Sequence, residues 1–200
     1  MKTDKKKIMY CNLMKEIKVR VALIRSIIQG QSLGREDFDG EMVSLQLRKC
    51  LEIVAFSSLV VNEQIYSQTY SDFSTHWKAK KIVEKIEKLN PDFFPKPIFL
   101  ANLNEQGVKH FDYIKDGFLT LDELITLYDK TSNVIHSWNP YRTEPRIVDF
   151  GRSIEEWVTR LQCLLGLHIM RGVGLNEFWV VEMVAADNKV HVFSTMPVPS

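Results

Sequence analysis

The chain has 200 residues, is 45% hydrophobic and 26% charged, and carries a formal net charge of +1. That length and balance fit one ordinary folded domain with a core large enough to need no metal or disulfide staple, and they exclude the global positive field of a strongly basic nucleic-acid binder. The charge is uneven along the chain: residues 1–20 hold seven Lys/Arg against two acids, and residues 101–129 hold six acids against two lysines. A basic start of this kind reads either as a phosphate-touching segment or as the solvated first turns of a helix.

In chain order, Tyr10, Met14, Ile17, Val21, Ile24 and Ile28 recur in steps of three and four, which predicts a first amphipathic helix ended by Gly30. A second helix is expected over about 41–68, with Leu47, Leu51, Val54, Leu59 and Ile65 inward. Its middle is apolar nearly all round, and Ala55, Ser57 and Ser58 are small enough for close helix contact, so it reads as the central helix. A short lysine-rich helix over about 74–89 puts Trp77, Ile82, Val83 and Ile86 inward, and Pro91 stops it by disfavouring helix at Asn90. Residues 96–118 read as a small hairpin around Gly107.

Thr120 and Glu123 have capping-box spacing and open a fourth helix, striped by Leu121, Leu124, Ile125, Tyr128, Ser132 and Ile135. A second such pair, Ser153 and Glu156, opens a fifth helix expected to run to about Arg171. The tail then alternates, and Asp187-Asn188 signals a turn, so strands are expected at about 177–184 and 189–195. The fold class is therefore mainly α: an antiparallel four- or five-helix bundle with a C-terminal β-hairpin. The division is residues 1–172 for the bundle and 173–200 for the hairpin. A lone hairpin is unstable in water. It must pack on the bundle or pair across a dimer interface.

Cys11, Cys50 and Cys163 lie far apart in apolar helical patterns and read as buried thiols of a reducing cytoplasm. The charges at Lys15, Glu16, Lys18 and Arg20 leave no apolar core for a signal peptide after "MKTDKKK", and the apolar run at 53–61 is too short to span a bilayer. No membrane association is expected. The sequence has no Walker loop, dinucleotide turn, HExxH or nucleophile elbow, and its five histidines have no paired metal-ligand spacing. Neither a metal nor a cofactor is expected.

The candidate chemistry lies in "YDKTSNVIHSWNPYR", residues 128–142. Asp129, Ser132, Asn133 and His136 fall on adjoining helical lines, and Lys130 lies six residues before His136. Histidine titrates near neutral pH unaided. With Asn133 to orient it and Lys130 or Arg142 to hold developing charge, His136 suits removal of a 2′-hydroxyl proton from RNA. The other reading is structural. A histidine is favoured at a helix C-terminus by the macrodipole, Asn139-Pro140 is turn chemistry, and Trp138 anchors helix to loop. His168 reads as a satisfied core residue, His191 as one of the alternating hairpin residues, and His76 and His110 as surface or loop positions. Arg48 and Glu52, four apart on the central helix, read as an intrahelical pair or a buried polar contact.

An antiparallel bundle with a polar residue, a short gap and a histidine on a late helix resembles the HEPN superfamily over about residues 8–172. Lys130 stands at the motif's arginine, Asn133 at its polar residue and His136 at its histidine. The resemblance implies a homodimer with the motif at the interface. It further implies either a metal-independent endoribonuclease of a toxin–antitoxin, abortive-infection or antiphage system, or a non-catalytic interaction module that binds a protein partner. Lysine lacks arginine's two-pronged phosphate geometry, which weights the expectation toward the interaction module.

Overall fold

The computed structural model describes residues 2–31, 34–76, 78–103, 109–137, 141, 148–173 and 178–196. Helix α1 spans Lys2–Ile28. Tyr10, Met14, Ile17, Val21 and Ile24 form its buried stripe, as their spacing requires, while Ile28 at its end is exposed. Gly30 stops it at φ +102°, a left-handed conformation open to glycine.

Helix α2, Glu36–Val61, packs along α1 and is the most buried helix, with Ser57 and Ser58 wholly enclosed. Its acidic first turn suits the helix dipole. The expected continuous helix to 68 is broken: α3, Glu63–Thr69, is a separate helix beyond a corner at Asn62. The buried Asn62 amide donates to Ser58 O at 2.9 Å and accepts from Asn90 Nδ2 at 2.8 Å, and Asn90 also donates to Arg171 O at 2.9 Å. The backbone bonds run on through Asn62, from its N–H to Ser58 O at 3.1 Å and from Tyr66 N to its carbonyl at 3.0 Å, and the break is the shift of Asn62 to φ −98°, ψ 12°.

After a short 3-10 turn at Phe73–Thr75, α4 spans Ala79–Leu89 and buries Ala79, Ile82, Val83 and Ile86 on one face. It starts later than the expected residue 74, and Trp77 lies outside the described residues. Strands β1, Lys96–Leu103, and β2, Lys109–Tyr113, form the expected antiparallel hairpin, with an irregularity between Leu100 and Asn102.

Helix α5 spans Leu121–Ile135 and begins in a complete capping box. Glu123 N donates to Thr120 Oγ1 at 3.3 Å, and Thr120 N donates to Glu123 Oε2 at 3.1 Å. Arg160 holds the same carboxylate oxygen at 2.8 Å. Burial pushes the Glu123 carboxyl up, but the Thr120 amide and the two arginines, Arg160 and Arg152, outweigh it and hold it below the usual range. Thr120→Ala removes one of these links and is expected to cost about 1 kcal/mol. Calorimetry should read this as a fall in Tm of roughly 2–4 °C; an unchanged Tm would show that the Glu123 carboxylate, held by the residue-120 amide and Arg160, anchors the helix start without the hydroxyl.

Helix α6 spans Ile154–Leu165, capped by Ser153 Oγ on Glu156 N at 3.1 Å, while the Glu156 carboxylate pairs with Arg152. The expected extension to Arg171 is not helical. Gly166 closes α6, and Leu167–Arg171 is a strand, β3. His168 and Met170 face inward while Leu167 and Ile169 face the other side, so both faces are apolar and the alternation that marks a strand is hidden. Strands β4, Phe178–Glu182, and β5, His191–Thr195, pair in the expected C-terminal hairpin, with Val180 opposite Phe193. Asn188 in the connecting turn has φ 59°.

The chain is thus mainly α, and its β part is larger than a hairpin. The five strands form one antiparallel sheet in the order β2-β1-β3-β4-β5, which draws β1, β2 and β3 from before residue 173. One sheet face packs on the helices through His168, Met170, Trp179 and Val181. The other carries Ile98, Ile169 and Val180, sheltered by Phe111, Leu167 and Phe178.

Candidate functional site

Helix α5 carries the three described residues of the sequence-derived constellation. Asn133 and His136 are exposed, and His136 is the helix C-cap. Lys130 is half-buried, and its Nζ lies 3.4 Å from where a Cβ on Gly151 would stand. It therefore reaches toward the segment that leads into α6. Six residues of helix put Lys130 about 120° around the axis from His136. Arg142, Trp138, Asn139 and Pro140 lie outside the described residues.

The line of α5 that leads to His136 runs through Tyr128 and Ser132, each one turn apart. Both are gripped by Arg48 of α2. Arg48 Nη2 donates to Tyr128 Oη at 2.5 Å, Nη1 donates to Tyr128 O at 3.2 Å and also bonds Ser132 Oγ, and Nε lies 3.3 Å from Glu52 Oε1. The guanidinium carbon sits 3.8 Å from the centroid of the Tyr128 ring. Burial pushes the Tyr128 hydroxyl up, against the pull of the Arg48 charge. The Arg48–Glu52 pair expected from sequence is present, and it doubles as the polar clamp between α2 and α5. Tyr128 and Ser132 were not derivable as its partners, because a contact 80 or more residues away leaves no local signal.

Above this clamp lies a cleft of about 360 Å³ lined by Arg48, Lys78, Lys80, Lys81, Glu84 and Tyr128. Its lysines gather at the start of α4, where Lys78 is the N-cap and no side chain caps the helix. A helix N-terminus carries partial positive charge and favours acids, so lysines there work against local stability. Lys80 reaches across to Asp129 of α5 at 3.1 Å. Basic residues crowded into the first turn of a short helix are the sequence feature that would have marked this cleft.

His168 is a satisfied core residue, as expected, though on β3 and not on a helix. It is fully enclosed. Its Nδ1 lies 2.8 Å from Leu165 O, which only accepts, so Nδ1 carries the proton and Nε2 accepts from Tyr10 Oη at 2.7 Å. Burial holds its pKa down at about 4 and pushes the Tyr10 hydroxyl up. Trp179 stands edge-on to Tyr10 in the same cluster. His76 is a loop residue but half-buried, 2.9 Å from Tyr66 Oη and 3.1 Å from Lys85 Nζ. His191 bonds Asp187, and His110 is exposed on β2. Of the cysteines, Cys50 is buried with its pKa raised to about 12 by burial, whereas Cys11 and Cys163 are only half-buried.

Among the described residues no group of three or more His, Cys, Asp and Glu is placed to hold a metal ion, and no helix is long and apolar enough to cross a membrane. No protein-family model, no curated protein and no solved structure matches the chain. The fold and the cleft define a mainly α protein with an antiparallel sheet and a basic recess between α2, α4 and α5.

Proposed function

We propose that this chain is an interaction module, HEPN-like in its helical part, that docks an acidic segment of a protein partner in the cleft at the start of α4. The resemblance would put such a module in a prokaryotic defence or toxin–antitoxin system as a homodimer, and the three widely spaced cysteines fit a reducing cytoplasm. The observation that carries the reading is the set of three lysines at an uncapped helix start, over the Arg48 clamp. A local rule broken at a concave surface is where function is to be sought.

The second reading is a metal-independent endoribonuclease with His136 as base. It is favoured by the exposure of His136, about 12 Å along α5 from Tyr128 at the cleft wall. It stands second because Lys130, the charge-holding residue of that reading among the described ones, lies about 120° around α5 from His136, with its Nζ toward Gly151.

Fluorescence anisotropy with a labelled oligoglutamate and a labelled RNA of equal charge tests both. Oligoglutamate is expected to bind, and Lys78→Glu with Lys81→Glu to weaken it by about tenfold or more at low salt. Unaltered binding by that double variant, or no binding by the wild type, would sink the module reading. RNA cleavage or growth arrest on expression that disappears with His136→Ala would replace it with the nuclease.

A further inference from the structure

A second recess lies away from that cleft, between the start of α1, the end of α2 and the 3-10 turn. It has a volume of about 360 Å³ and is lined by Lys5, Lys6, Met9, Leu59, Val60, Glu63 and Phe73. That volume falls within the range of small-molecule sites, about 300–1,000 Å³. Met9, Leu59, Val60 and Phe73 give it an apolar floor, and about half of Met9 is exposed there. Leu59 packs against the core, as expected, and its half-buried side chain also lines this recess.

The charge around it is positive on balance, two lysines against Glu63. Lys5 has no ion-pair partner among the described residues, and Lys6 pairs with Glu63 at 2.8 Å. Lys5 and Lys6 stand four and three residues before Met9 on α1, so each neighbours Met9 on the helix surface, and both line the recess. We infer that this recess binds a free medium-chain carboxylate, its tail on Met9, Leu59, Val60 and Phe73 and its headgroup between Lys5 and Lys6, where it competes with Glu63 for Lys6. An apolar body with one anionic end matches both parts of the lining. The inference is independent of the acidic-partner cleft.

The test is displacement of a dansyl-labelled undecanoate from the full chain, with competitors kept below their micelle concentrations. Affinity should rise about fourfold per methylene from hexanoate to decanoate as apolar surface is buried. Decanol should bind about tenfold more weakly than decanoate, and decyltrimethylammonium should not compete. Lys5→Glu should weaken decanoate by about tenfold and leave decanol unchanged. Glu63→Gln should act in the opposite direction, freeing Lys6 and tightening decanoate a few-fold. Phe73→Ala should weaken decanoate and decanol together. The inference is overturned if decanol and decanoate bind alike, if the two charge variants leave decanoate affinity unmoved, or if no member of the series displaces the probe.

Discussion

Replacing Arg48 by Met is expected to destabilise the protein by about 3 kcal/mol, the largest loss from any single polar side chain here. The change deletes a guanidinium that serves two helices at once. It removes donors to the Tyr128 carbonyl, the Tyr128 hydroxyl and Ser132, and it strips Glu52 of one of its two cations. Both Arg48 and Glu52 are mostly buried, at 16% and 14% side-chain exposure, so water does not fully replace what is lost. In a chain of this length the fall in Tm should be roughly 6–12 °C. Arg48→Lys keeps the charge and loses the fork, so it should recover less than half. Adding Glu52→Gln to Arg48→Met should return part of the loss by removing the carboxylate left behind. Additive effects in that pair would mean that Arg48 acts through Tyr128 and Ser132 alone.

His168 should make the fold acid-sensitive well above the range where carboxylates titrate. In the folded chain it is neutral with a pKa near 4, against an ordinary value of 6.5. Between these values the unfolded chain binds a proton that the folded chain does not. Stability therefore rises with pH across this window, is complete above about 6.5, and is lost as pH falls toward 4. The gap is worth about 3 kcal/mol in all. Urea midpoints at pH 7, 6 and 5 should fall in the wild type and fall less steeply in His168→Gln. Comparing slopes, and not midpoints, removes the packing cost of the substitution. Equal slopes would mean that the imidazole is not held neutral between Leu165 and Tyr10.

The sequence made local devices legible and long-range ones illegible. The Thr120–Glu123 box, the α1 stripe and the turn at Asp187-Asn188 are each written within a few residues, and the structure has all three. Strand β3 was read as helix because Leu164, Leu165 and His168 keep helical spacing across Gly166 while the strand beyond has two apolar faces. The break at Asn62 has no local mark, and the side chain that holds Asn62 there, Asn90, is 28 residues away. The site divides in the same way. The Arg48–Glu52 pair was visible at i, i+4, but its grip on α5 was not. The lysine-rich composition of α4 is plain in the sequence, and only the approach of α5 makes those lysines a cleft wall.

The join between β1 and β3 has a consequence for how the molecule opens. The β1–β2, β3–β4 and β4–β5 ladders each register five residue pairs, but β1 meets β3 at two, Lys96 with Ile169 and Pro97 with His168. One of the two is a proline, which has no amide hydrogen to give, and its carbonyl is taken by Ile114 N at 3.0 Å. The sheet is thus two leaves sewn along a short seam. The leaf of β3, β4 and β5 is fixed to the helical core through His168 and Trp179, while the leaf of β1 and β2 is joined by the short seam, by Ile98 against Ile169 and Val180, and by the packing of β1 on α6. Breathing of the native state should begin at that seam, at a lower cost than global unfolding, and each such opening would briefly bare Ile98 and Ile169 while the imidazole beneath stays dry.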